Sequence, residues 1–396
     1  MIINRKYFPF IIKNSSKTSF LKIFLTKNKF KRFFNSKKDE KKNKQNNKSI
    51  KRYFGKEDQE KQNKKIPELY FEARGCSIGH PNKKNGGEDS FFISKFSIGV
   101  ADGVGGWSRV KGGDPGRYAR ELMRYSKESI ESSQNNPIDV LQYAYQKTDK
   151  SILGSSTAVI GILSSNCFSN PQKIKNSRNI KSNSNTQKSN QRKKAFFIAA
   201  NLGDSGFKVI RNKKIILSSI EQTHGFNFPF QIGKNSSDKP SDADLYEIEV
   251  EKDDIIIMAT DGIFDNIFER EILEKIIEYQ KESNQKELNQ KELNQKELNQ
   301  KESNQKELNQ NQFSSNQKEL NQKELNQKEL NQKELNQKEF WGEKLSKDLA
   351  NLAIEYGKNP NYISPFSVNA LRNGYFYKGG KLDDSTIIIA QLKELI

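Results

Sequence analysis

Three apolar runs of strand character each meet a carboxylate at one end, and this pairing constrains the fold more than any other feature of the sequence. Phe91, Phe92, Ile93, Ile98 and Val100 lead into Asp102, and the glycines that follow let the backbone turn sharply. A second run, Ile255, Ile256 and Ile257, leads to Asp261-Gly262. A third has the reverse order, with Asp383 and Asp384 ahead of Ile387, Ile388 and Ile389. A carboxylate at the end of a strand stands at the rim of a sheet. Three such ends, if they converge, make a centre for a hard metal ion, which takes oxygen ligands.

The chain of 396 residues is uneven along its length. Residues 1–65 hold 21 Lys/Arg against 5 Asp/Glu, and residues 164–194 hold 8 Lys/Arg and no acid, so these two segments account for the whole formal charge of +19. The remainder is slightly acidic. That distribution argues against nucleic-acid binding by the folded part, which would need positive charge on a structured face. From 281 to 339 Asn-Gln-Lys-Glu-Leu repeats with a period of five. On a helix a five-residue step turns about 500°, so successive leucines do not line up and no apolar stripe forms. The repeat therefore reads as a solvated insertion, partly helical or disordered. The expected organisation is a basic segment over 1–65, then one domain over 66–396 interrupted by the insertions 164–194 and 281–339. Cys76 and Cys167 have no CxxC spacing, which argues against a disulfide framework or a structural zinc site.

Residues 1–38 carry eleven Lys/Arg and no acid, interleaved with Phe8, Phe10, Phe20, Leu21, Phe24 and Phe30. A basic, acid-free, hydroxyl-containing start of this kind fits a mitochondrial presequence and import into the matrix, with a cytoplasmic location as the alternative. No apolar stretch approaches the roughly 18 residues of a membrane span, so no integral membrane segment is expected.

Asp114-Pro115 opens a helix by capping, with Tyr118, Leu122 and Tyr125 on one face. Ile272, Leu273, Ile276 and Ile277 mark a helix before the repeat. Leu345, Leu349, Leu352, Ala353 and Tyr356 mark one after it, closed by Gly357. Strands are expected over 91–101, 156–163, 195–200, 206–211, 214–218, 245–250, 254–260 and 385–392. Strands 195–200 and 206–211 are joined by a short turn, so they are expected to pair antiparallel, which favours a layered α+β sandwich over a parallel sheet.

Six short motifs in order carry a family resemblance: Gly87-Glu-Asp-Ser90, Ala101-Asp-Gly-Val-Gly-Gly106, Gly154-Ser-Ser-Thr-Ala158, Ala200-Asn-Leu-Gly-Asp-Ser205, Ala259-Thr-Asp-Gly262 and Asp383-Asp-Ser-Thr386. Together they resemble the metal-dependent PPM family of protein serine/threonine phosphatases, the protein phosphatase 2C fold, across about 72–392. Glu221–Gln231 and Asn359–Phe366 look most like the mitochondrial branch similar to a T-cell-activation phosphatase. The resemblance implies a four-layer α-β-β-α sandwich of two antiparallel sheets flanked by helices, with a site for two Mn²⁺ or Mg²⁺ ions at one end. It implies phosphoprotein substrates, hydrolysed by a water or hydroxide bridging the two ions. It says nothing of the oligomeric state.

Carried over by position, Asp102 would bridge both metals, the Gly103 carbonyl and Glu88 would serve one, and Asp261 and Asp383 the other. Asp89 would act through bound water, and Asp384 competes with Asp383 for its role. Asp204, in the link between two strand runs, is read as a hairpin Asx residue with a structural role. Many relatives have His where this chain has Val104, which leaves the general acid open and His224 a weak candidate. Relatives place an Arg four residues before the Glu to grip phosphate; here that position is Lys84, with Lys83 beside it. The missing His also leaves a second reading, a pseudophosphatase or phosphoprotein-binding scaffold.

Overall fold

The structure, a computed structural model, describes residues 67–132, 135–167, 194–310 and 340–395. The basic N-terminal segment, most of the 164–194 insertion and the second half of the repeat lie outside the described residues.

Two five-stranded antiparallel sheets form the centre. One is built from β1 (Leu69–Ile78), β7 (Gly206–Arg211), β8 (Lys214–Ser218), β13 (Ile255–Ala259) and β14 (Ser385–Glu394), in the order β1-β14-β13-β7-β8. The other is built from β2 (Ser90–Ile93), β3 (Ser97–Ala101), β5 (Ala158–Ser164), β6 (Ala195–Leu202) and β12 (Asp244–Val250), in the order β12-β6-β5-β3-β2. Two small ribbons are added: β4 (Ser155–Ser156) with β11 (Ile232–Gly233), and β9 (Thr223–Gly225) with β10 (Phe228–Pro229).

Both faces of each sheet are buried, because side chains alternate across a strand and each face meets another layer. In β14, Ile388, Ala390 and Leu392 join the core between the sheets, while Ile387 and Ile389 join the core beneath a helix pair. Between the sheets Phe71, Phe197, Phe207 and Tyr246 form an edge-to-face chain with centroid spacings of 6.3, 5.3 and 5.3 Å. The outer layer on one side is α1 (Pro115–Glu131) and α2 (Pro137–Lys147), which bury Tyr118, Leu122, Met123, Val140 and Leu141. On the other side, α4 (Glu269–Gln310) contributes Ile272 and Ile276, and α5 (Gly342–Lys358) contributes Leu345, Leu349 and Ala353. The expected α-β-β-α sandwich is therefore present. As read from Asp114, its carboxylate caps α1 by accepting from Arg117 N at 2.8 Å.

Four expectations need correction. The run 91–101 is not one strand but the hairpin of β2 and β3, turned by Ser94, whose amide donates to Ser97 O at 2.8 Å. Strand β1 and helices α2 and α6 (Pro365–Arg372) were not expected. Gly357 lies inside α5 and does not close it. Strands β6 and β7 do not pair: β5 and β12 occupy both edges of β6, so the chain crosses to the other sheet to find a neighbour for β7. Gly203, at φ 102°, makes the crossing possible.

Helix α4 runs into the repeat with Leu288 and Leu293 about half exposed, at 52% and 51%. Pairs four residues apart, Gln285–Asn289 at 3.0 Å, Gln290–Asn294 at 3.2 Å and Glu287–Lys291 at 3.1 Å, support it in place of an apolar face. Ser283, Asn284 and Glu287 line one cavity with Phe340 and Trp341, so the repeat leaves the domain beside the point where the chain re-enters. Deleting Lys286 to Gln337 is expected to leave the thermal midpoint within a few degrees and metal-dependent activity within a few-fold. A soluble deletion protein without activity would contradict this.

Candidate metal centre

The strand ends named in the sequence meet at one end of the sandwich. Asp102 follows β3, Asp261 follows β13 and opens the short helix α3 (Asp261–Phe264), and Asp383 precedes β14. The β6–β7 crossover adds a fourth carboxylate. Oxygens of Asp102, Asp204 and Asp261 lie within 4.8 Å of one another, a grouping that draws on both sheets. Asp204 is thus no hairpin Asx residue; its Oδ1 is buried and has no hydrogen-bond partner.

Buried hydroxyls fix this geometry. Thr157 Oγ1 accepts from Asp102 N at 3.1 Å and lies 2.8 Å from Ser205 Oγ, tying the Asp102 loop to the crossover that carries Asp204. Ser156 Oγ donates to Asp102 O at 2.8 Å. Gly103 is held against the next loop, its amide 3.2 Å from Glu88 O. A Cβ there would stand 2.6 Å from that same oxygen, so only glycine fits.

Glu88 is buried, accepts from Ser108 Oγ and stands 2.9 Å from Lys83 Nζ. Asp89 Oδ2 accepts from Thr260 Oγ1 at 2.8 Å, next to Asp261. Asp383 and Asp384, adjacent in sequence, serve differently. Asp384 is 2% exposed and accepts from His80 N at 2.6 Å, Glu88 N at 2.7 Å and Lys83 Nζ at 2.9 Å, fastening the 80–88 loop to β14. Asp383 is half-buried and faces Lys83 at 2.8 Å and Lys381 at 4.0 Å.

The side chain of Lys84 lies outside the described residues; Lys83 brings its ammonium into the cluster. His224 is not among the partners of the acidic residues at the rim. It sits on the β9–β10 hairpin, 3.0 Å from both oxygens of Asp238 and stacked on Phe230 at 4.1 Å. The sequence reading gives Asp204 a structural role only and does not name two participants, Asp265 and Lys381. Lys381 Nζ pairs with Asp261, and with Asp265 at 2.7 Å. Asp265 was legible in principle, four residues after Asp261 and hence on the same face of a helical turn.

Eight carboxylates, Glu88, Asp89, Asp102, Asp204, Asp261, Asp265, Asp383 and Asp384, thus gather around two ammonium groups. Burial, then the facing Asp261 carboxylate, pushes the Asp102 carboxyl well above its usual range, and the same two causes raise Asp204. Asp89 is pushed up to about 8, by burial and then by Asp384. Burial also acts upward on Asp383, but the Lys381 and Lys83 ammonium groups outweigh it and lower that carboxyl. For Lys381 burial acts downward and is outweighed by Asp261 and Asp265, which raise it well above the ordinary lysine value. The negative charge exceeds what two lysines neutralise. An all-oxygen donor set with an unpartnered buried carboxylate oxygen suits hard divalent cations.

No family model matches the chain. It is 30% identical over 332 residues to protein phosphatase PTC7 homolog fig of Drosophila pseudoobscura pseudoobscura, covering 77% of this chain and 72% of that protein. It is 30% identical over 333 residues to probable protein phosphatase 2C 80 of Arabidopsis thaliana, covering 82% of this chain but only 59% of the plant protein. In three dimensions it superimposes on the X-ray structure of the photosystem II phosphatase PBCP with a TM-score of 0.55 at 24% identity, covering 82% of this chain and 100% of the other.

Proposed function

Since the chain belongs to the protein phosphatase 2C family, we propose that it is a metal-dependent protein phosphatase acting on phosphoserine and phosphothreonine. The observation that carries this reading is the convergence of Asp102, Asp204 and Asp261, from three separated parts of the sequence, on one rim. Two Mn²⁺ or Mg²⁺ ions are proposed there. Asp102 would hold both, Glu88 and the Gly103 carbonyl would serve one, and Asp261 and Asp383 would serve the other. Asp89 would act through water, and Asp204 would join the set. When bound, such ions acidify water for in-line attack on phosphorus and neutralise the phosphoryl oxygens.

The chain's own residues do the rest. Asp384 holds the 80–88 loop, and with it Glu88 and Lys83, against β14. Lys83 places a positive charge beside Asp383, where a phosphate oxygen would gain a point charge in place of a guanidinium fork. Val104 cannot donate a proton to the leaving alkoxide, and His224 is engaged by Asp238. The test is turnover of a phosphothreonine peptide after chelation and after adding back Mn²⁺ or Mg²⁺. Activity is expected to vanish on chelation and return with either ion; turnover that survives full metal removal, or absence of turnover with both ions, sinks the reading.

We further propose a mitochondrial location, from the acid-free basic and aromatic composition of residues 1–38. No helix among the described residues is long and apolar enough to cross a membrane. Residues 1–38 fused to a fluorescent reporter are expected to carry it into mitochondria, and a reporter left in the cytosol would refute this.

A further inference from the structure

Exposed apolar side chains are unevenly spread over the described residues. Ile363 and Leu371 are each 70% exposed and Phe376 is 92% exposed, and exposed Tyr375 and Tyr377 belong to the same short segment. Together with Val368 these side chains line one groove. Contiguous apolar surface of this kind is unfavourable in water and marks an interaction site. The segment is tied down. Ser364 Oγ caps α6 by accepting from Ser367 N at 3.0 Å and donates to Gly379 O at 2.8 Å, while Gly380 N donates to Asn359 O at 3.0 Å. The groove is therefore preformed.

Packed rings also link it to the metal centre. Tyr377 packs edge-on against Phe366 at 4.8 Å, and Phe366 lies beneath Lys381, whose Nζ is 5.1 Å from the ring centroid. Lys381 in turn pairs with Asp261. Phe226, on the β9–β10 turn, packs with its ring centroid 5.1 Å from those of both Phe366 and Tyr375. One charged residue, Lys378, lines the groove, and Asn361 Oδ1 accepts from it at 2.8 Å. The groove thus offers apolar contact and lacks the cluster of cations that an anionic membrane or nucleic acid would require.

We propose that this groove docks a large apolar side chain of the phosphoprotein substrate, near the phosphorylated residue, and so sets sequence preference around the site. The inference rests on the phosphatase reading above. Two ring contacts, of 5.1 and 4.8 Å, separate Lys381 Nζ from Tyr377. An extended peptide advances about 3.3–3.6 Å per residue, so the docked side chain belongs about three to four residues from the phosphoresidue.

The test uses the full chain with Mn²⁺ and three substrates. These are p-nitrophenyl phosphate, a phosphothreonine peptide with Leu at the third and fourth positions on both sides, and the same peptide with Ser at those positions. The expected result is about a 10-fold higher kcat/KM for the Leu peptide, carried by KM. Leu371→Ser and Phe376→Ser should each reduce that preference while leaving p-nitrophenyl phosphate turnover unchanged; both side chains are exposed, so neither change opens the core. Equal kcat/KM for the two peptides in the parent, or a preference untouched in both variants, overturns the docking groove while the phosphatase reading stands. No turnover of any of the three substrates overturns the phosphatase reading and the groove with it. A concentration-dependent dimer in sedimentation that Leu371→Ser dissolves would assign the groove to a second copy and overturn substrate docking.

Discussion

Asp102→Asn and Asp261→Asn are each expected to lower kcat by more than about 100-fold at ordinary metal concentrations. Even outer-shell changes at a metal site cost about 10–100-fold in affinity or activity, and these residues are proposed as direct ligands. Asparagine keeps the size and most hydrogen bonds of aspartate but removes the charge that holds a dication. Mn²⁺ affinity should fall in both variants. A turn or cap role alone would cost about 1–2 kcal/mol of stability and leave activity per folded molecule nearly intact. The measurement is kcat and Mn²⁺ affinity on protein shown to be folded by circular dichroism. Near-parental values in both variants, with unchanged metal dependence, would remove the two-metal reading.

Substitution of the neighbouring pair separates a ligand from a fastener. Asp384→Ala strips the buried acceptor from two backbone amides and leaves the half-buried Lys83 with fewer counter-charges. Removing one partner of such a buried network costs about 3–5 kcal/mol, so the denaturation midpoint should drop sharply whether or not metal is present. Asp383→Ala should do the opposite. Lys83 keeps Glu88 and Asp384, each at 2.9 Å, and the fold holds, while the Mn²⁺ concentration needed for half-maximal activity rises at least about 10-fold. If the two phenotypes came out exchanged, Asp384 would be the ligand.

The sequence announced the carboxylates that sit where a strand stops. Asp102, Asp261 and Asp383 were legible because an apolar run bounded by a carboxylate places that carboxylate on a rim whatever the topology. Asp204 was not legible in this way. A short link between two strand runs reads as a hairpin, and only the occupied edges of β6 reveal that it is a crossover between sheets. Lys381 was missed because its meaning depends on Asp261 and Asp265, more than a hundred residues away in the chain. Lys83 was read only as the neighbour of Lys84, because its meaning depends on Asp383 and Asp384, some three hundred residues away in the chain. Strand β1 escaped because Glu72, Arg74 and Gly75 break up its apolar content, although Leu69, Phe71 and Ala73 alternate inward as a half-buried strand should.

The crossover at Asp204 also bears on the order of events in folding. Asp204 leaves one sheet and meets Asp102 and Asp261 only when the two sheets face each other in register. Each sheet built alone would hold an incomplete set of ligands. The proposed metal affinity would therefore belong to the docked sandwich and be absent from any collapsed state whose sheets still slide. Contacts between such distant parts of a chain close slowly, because loop entropy is spent before they form. Capture of the proposed ions would thus come as the last step of assembly, and ions that bind only the docked state would hold it closed.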